Sequence, residues 1–204
     1  MAEQVIELAN LAEQISGCPK CALAKTRTNA VPGSGNPNAD IVFIGEGPGF
    51  NEDQQGLPFV GAAGKFLDEL LASINLRRED VYICNVIKCR APNNRDPLPD
   101  EIAACTPWLT QQLDVLKPRM IVTLGRFSMS RYFPGATIGR IHGQAKRIDD
   151  VLVVPMYHPA AALHQASLRQ TIMEDFQKLP DLLEQAAAEE EQPREPQPTQ
   201  LQLL

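Results

Sequence analysis

The sequence predicts an α/β fold, a three-layer α/β/α sandwich built on a four-stranded parallel sheet. Three observations carry this expectation. Four short apolar runs stand out, Ile41 to Ile44, Val81 to Asn85, Met120 to Leu124 and Val151 to Pro155. Each is nearly continuous and not alternating, the pattern of a parallel strand covered by helices on both faces. Helical segments separate the runs, and 204 residues with 44% hydrophobic content suit one domain with a sizeable core.

The first helix is expected over about 3–16, before the first strand, and the second over about 61–75. A third, over 99–116, opens with Pro99 and Asp100, residues that suit a first helical turn. The last two are expected at 125–133 and 168–187. From about Ala186 the composition changes to AAAEEEQPREPQPTQ, too polar to bury a core, so the domain is assigned to 1–185 and a disordered tail to 186–204.

No stretch reaches the roughly 18 apolar residues of a membrane span. The opening MAEQVIELANLAEQ lacks the basic start and apolar middle of a secretory signal, which leads to the expectation of a cytoplasmic protein without membrane contact. The net charge of −6 argues at first against a nucleic-acid partner. That charge sits at the two ends, however, and residues 18–188 are neutral, with 18 basic and 18 acidic side chains. Charge therefore neither supports nor excludes a basic groove.

Five cysteines in such a chain suggest metal or redox chemistry before disulfides. Cys18 and Cys21 form a C-P-K-C clip, and Cys89 and Cys105 flank the loop that follows the second strand. Structural zinc usually takes two tight clips, whereas the second pair here is wide, and four thiolates from separated segments suit an iron-sulfur cube at least as well. Cys84 lies inside the second strand, where it reads as a small apolar filler.

In sheets of this class ligands bind beyond the carboxyl ends of the strands, and those ends are glycine-rich or polar here. GEGPG at 45–49 lacks the Lys and Ser/Thr of a P-loop and the spacing of a dinucleotide fingerprint. Taken together, GEGPG at 45–49, PFVG at 58–61, NVIKC at 85–89, HPA at 158–160 and the four cysteines closely resemble the family 4 uracil-DNA glycosylases across residues 10–180.

The resemblance implies a 4Fe-4S cluster on Cys18, Cys21, Cys89 and Cys105, and a monofunctional hydrolysis of the bond between flipped-out uracil and deoxyribose. Phe59 would give the base a planar apolar face. Asn85 would read the adjacent O4 acceptor and N3–H donor of uracil, an edge whose polarity cytosine reverses. His158 would donate to O2 as the base leaves as an anion. Glu46 would stabilise the cationic sugar, Gly47 would allow close backbone approach, and either Glu52 or Asp53 could position the water or cap a turn.

DNA, single- or double-stranded, would be held by main-chain amides from Gly61 to Lys65, by the loop Arg90 to Arg95, and by the segment Ala160 to Arg169. Leu163, Leu168 or Arg169 would fill the space left by the flipped base. No His follows the second strand, where a relative carries one that traps the sugar covalently, so turnover is expected. His142 reads as structural and His164 as a phosphate contact.

The chain ends in QLQLL, apolar residues beyond a polar linker, resembling short peptides that dock on bacterial sliding clamps through a residue such as Gln200 and apolar side chains up to Leu204. A monomer associated with the nucleoid is expected. Two other classes compete with the enzyme: an idle uracil- or DNA-binding module with a structural cluster, and a small electron carrier. The joint presence of Glu46, Phe59, Asn85 and His158 argues against both.

Overall fold

A computed structural model describes residues 2–191. Six strands form one sheet: β1 (Ser34–Gly35), β2 (Ile41–Gly45), β3 (Tyr82–Asn85), β4 (Met120–Leu124), β5 (Lys146–Ile148) and β6 (Val151–Met156). Their spatial order is β1-β3-β2-β4-β6-β5. The four central strands are parallel and are the four expected from the apolar runs. Two short strands pair antiparallel at the edges, so the sheet has six strands where four were expected. Each edge strand is two or three residues long and only partly buried, and such segments carry no apolar run to announce them.

Nine α-helices surround the sheet among the described residues: α1 (Ala2–Ser16), α2 (Phe50–Gln55), α3 (Ala62–Ser73), α4 (Pro99–Leu116), α5 (Arg126–Ser130), α6 (Ile138–Ile141), α7 (Pro159–His164), α8 (Ser167–Gln177) and α9 (Leu179–Glu191). The two-residue period of a strand divides the core. Val42, Ile44, Cys84 and Ile121 face the layer of α1 and α4, while Ile41, Phe43, Ile83 and Val122 face that of α3 and α8. Phe43 stacks on Phe176 of α8 at 5.7 Å.

The last helix continues beyond the expected domain end, through Glu191, and Ala186 is 1% exposed. Alanine and glutamate are strong helix formers, and Ala186 is buried against the fold. Gln200 to Leu204 lie outside the described residues.

From β2 the chain passes to β3 on one side, then returns to β4 on the other. The carboxyl ends of β2 and β4 therefore flank a topological switch, the point where open α/β sheets bind ligands. Gly45, Asn85, Leu124 and Met156 end the four parallel strands there.

Candidate active site

The loops leaving these strand ends enclose a cleft of about 690 Å³ lined by Glu46, Gly47, Phe59, Asn85, Leu163 and His158 among others. Its size falls within the range of small-molecule sites. Gly45 is paired in register with Asn85, and a Cβ on it would come within 2.4 Å of Asn85 Oδ1 and 2.7 Å of the Phe59 ring. Glycine is thus required for amide and ring to share the cleft wall. A Cβ on Gly47 would lie 2.6 Å from Ile87, which explains the second glycine around Glu46. Burial raises the Glu46 carboxyl above the ordinary carboxylate value, with Asp96 adding to the effect and Arg126 opposing it.

Phe59 sits in the loop between α2 and α3 with a left-handed backbone, φ 54°, costly for a bulky side chain. The surroundings impose it. Arg78 donates to the carbonyls of Pro58 at 2.9 Å, of Gly64 at 3.4 Å and of Phe59, and its Nε reaches Asp68 at 2.5 Å. From the other side Glu52 accepts the main-chain N–H groups of Gly49, Val60 and Gly61 at 3.1, 2.9 and 2.8 Å. Glu52 is therefore a strut that joins two cleft loops. Asp53, buried, accepts the amides of Thr28 and Asn29 and is likewise structural. Of Glu46, Glu52 and Asp53, this leaves Glu46 outside such structural bonding; Asp96, which also lines the cleft, pairs with Arg126.

Asn85 is 2% exposed, and its Oδ1 is buried with no hydrogen-bond partner among the described residues. An orphaned acceptor of this kind is costly unless a ligand's donor completes it. His158, at the N-cap of α7, accepts the Ala160 N–H at Nδ1 over 3.1 Å. Its proton must then sit on Nε2, and burial lowers its pKa to about 4, so the ring is a neutral donor. It stacks beside Phe59 with ring centroids 5.5 Å apart. The site thus assembles an aromatic wall, a dual-function amide, a neutral imidazole donor and a carboxylate.

Of the residues expected at the DNA, Lys65 is exposed on the first turn of α3. The Gly61 amide already donates to Glu52 and the Lys65 amide to the Gly61 carbonyl, so both are engaged within the protein. Arg95 lines the cleft but forms a bidentate pair with buried Glu101, at 2.7 and 2.9 Å. Arg169 pairs with Glu69 and lies over the Phe66 ring. Leu168 packs against the core, whereas Leu163 is 50% exposed beside the cleft. Sequence reading did not single out Arg78, and nothing in its neighbourhood marks it; Glu52, weighed there as a turn cap, accepts the Gly49 N–H at the start of α2.

Cys18, Cys21, Cys89 and Cys105 line one cavity, together with Arg27, Lys88 and Trp108. Three N–H donors point at the sulfurs: Arg27 to Cys89 at 3.1 Å, the Lys88 amide to Cys105 at 3.3 Å, and the Trp108 indole to Cys18 at 3.2 Å. Burial pushes the Cys105 thiol up to about 11 and raises Cys89, with Lys88 and Arg27 respectively pulling back. Cys84, fully buried in the same core cluster as Cys89 and Cys105, is not among the residues lining the cavity. Among the described residues, no three His, Cys, Asp or Glu side chains converge on the position of a single ion.

A parallel sheet whose switch-point cleft combines these four groups defines a class of protein, one that recognises and detaches a planar heterocycle. The family model of the uracil DNA glycosylase superfamily matches residues 32–179. Type-4 uracil-DNA glycosylases of Archaeoglobus fulgidus, Sulfurisphaera tokodaii and Saccharolobus solfataricus are 50%, 47% and 49% identical to the chain. These similarities cover 86%, 86% and 85% of this chain and 92%, 84% and 85% of the relatives. The chain belongs to the type-4 uracil-DNA glycosylase family. Among the described residues no helix is long and apolar enough to cross a membrane.

Proposed function

We propose that the chain removes uracil from single- and double-stranded DNA by hydrolysing its N-glycosidic bond without cutting the strand. The orphaned Oδ1 of Asn85 carries this reading. A uracil N3–H would satisfy that oxygen while the amide nitrogen donates to O4; cytosine presents no donor at N3, so it would leave the buried acceptor unpaired. Phe59 and His158 wall the base, and the Nε2–H of His158 donates to O2 as negative charge develops there. The Glu46 carboxylate stabilises the positive charge on the sugar and orients the water that attacks C1′.

The exposed side chain of Leu163 fills the hole left in the duplex, since Leu168 is packed and Arg169 is paired. Lys65, the α3 amides beyond Gly61 and the 90–95 loop meet phosphates. Such a substrate places the protein at the nucleoid, acting as a monomer.

Cys18, Cys21, Cys89 and Cys105 suit a 4Fe-4S cluster. Each thiolate of a cube binds its own iron, which fits sulfurs that surround a cavity without converging on one point, while tetrahedral zinc demands convergence. When bound, the cluster would clamp the start of the chain to the end of β3 and to α4. The three N–H···S contacts suit sulfurs that carry negative charge.

The terminal Gln200 to Leu204 segment supplies a sliding-clamp contact, tested by deleting residues 192–204. Clamp binding in roughly the micromolar range is expected to vanish while excision from a short oligonucleotide is unchanged. The enzymatic reading is tested by incubating a uracil-containing oligonucleotide with the protein. Strand scission only after alkali is expected; an intact strand after alkali would leave an idle binding module, and scission without alkali would contradict a monofunctional reaction.

A further inference from the structure

Lys88 is 1% exposed, three residues after Asn85 and next to Cys89. Its ammonium donates to the main-chain carbonyl of Asn85 at 2.9 Å and to Gln112 Oε1 at 2.5 Å. Both acceptors are neutral, and among the described residues no carboxylate pairs with it. A buried ammonium requires hydrogen bonds for its protons and negative charge nearby, or it opposes folding. The negative groups that the proposed cluster would bring to this cavity are the cysteine thiolates. Lys88 lines the cysteine cavity, and its main-chain N–H contacts Cys105 Sγ at 3.3 Å.

The rest of the contact set shows what this residue holds. Its carbonyl accepts the Val31 N–H at 2.7 Å, and Gln112 on α4 donates to Pro32 O at 2.9 Å. The turn from Asn85 to Lys88 is thus bound to α4 through the Lys88 ammonium, and to the 31–32 segment through the Lys88 carbonyl and Gln112. The ammonium bonds Asn85 at its main-chain oxygen, at the end of β3 from which the side-chain amide projects.

We infer that Lys88 is a positioning residue that joins the cysteine centre to the recognition amide: its ammonium fixes the Asn85 backbone and takes its counter-charge from the thiolates. The inference rests on the roles proposed above for Asn85 and the four cysteines. Thiolate charge and amide placement then depend on one another, so disturbing Lys88 affects both.

The test uses full-length, metal-loaded protein carrying Lys88→Met, which keeps the length of the side chain and removes charge and donors. Two quantities are measured: single-turnover excision with substrate affinity, and the rate at which iron passes to a colorimetric chelator. The Met variant is expected to lose excision rate by about tenfold or more with little change in affinity, as loss of an outer-sphere partner does, and to release iron faster. Wild-type values for both would overturn the inference; slower excision with unchanged iron release would overturn the charge link, and the reverse would overturn the positioning role. If Lys88→Met does not fold, Gln112→Glu decides, because a carboxylate beside the ammonium competes with the thiolates for its charge. Faster iron release is expected there, and wild-type release would overturn the inference. A wild-type protein that excises no uracil would instead remove the enzymatic reading, and the iron measurement would still judge the charge link.

Discussion

His158 Nδ1 accepts the main-chain N–H of Ala160 at 3.1 Å, and this one contact decides which imidazole nitrogen carries the proton. The resulting Nε2–H serves as a donor only while the ring is neutral in this tautomer. Burial keeps it neutral down to about pH 4.

That depressed value has a thermodynamic consequence. The unfolded chain takes up a proton at His158 near pH 6.5, and the folded chain near 4. The contribution of His158 to stability is therefore complete above 6.5 and declines as the pH falls through that window to about 4. Glu46, raised above its ordinary value, acts in the opposite sense: its contribution is present below that value and is lost as the pH rises through its folded pKa. Melting temperatures of wild type and His158→Gln across this range separate the two. The mutant is expected to lose less stability on acidification, and parallel curves would contradict the neutral-ring account.

Glu46 must be ionised to stabilise a cationic sugar, so the acid limb of kcat/KM is expected to lie above the ordinary carboxylate value of 4.5. Asp96 contributes to that elevation and also pairs with Arg126, which opposes it. Asp96→Asn removes a repulsion and frees a guanidinium. The limb is expected to move to lower pH, and a pH–rate profile with an unmoved limb would transfer the role to another group.

The cysteine assignment predicts brown protein after purification without air, holding about four iron per chain. Cys89→Ala is expected to lose both colour and iron, whereas Cys84→Ala, altering a core residue outside the cavity, is expected to keep both. Iron analysis and visible spectra check this, and one zinc per chain in a colourless sample would contradict it.

What could be read from the sequence follows from the distance over which each feature is encoded. The four central strands were legible because burial on both faces forces a continuous apolar run. Helix α4 matched its expected bounds because Pro99 and Asp100 mark its start locally. The edge strands were not legible, since Ser34, Gly35 and Lys146 to Ile148 owe their pairing to neighbours distant in sequence. In the site, Glu46, Phe59, Asn85 and His158 stand in short motifs, and the structure brings all four to one cleft. The Arg78 clamp on the Phe59 loop and the Lys88 bond to the Asn85 carbonyl exist only after folding. The pairing of Arg95 with Glu101 was hidden for a different reason: sequence supplies a charge but not its partner.

The central claim is that the buried, unpaired oxygen of Asn85 reads uracil as it departs, and single-turnover excision by Asn85→Ala tests it most directly. With a uracil-containing oligonucleotide in excess of its dissociation constant, the rate is expected to fall by about 100-fold or more, because the lost contacts act most strongly on the developing uracil anion. DNA affinity, measured in parallel, is expected to change little, since the phosphate contacts proposed above lie on other residues. An excision rate near that of wild type would contradict the account and place recognition of the base outside Asn85.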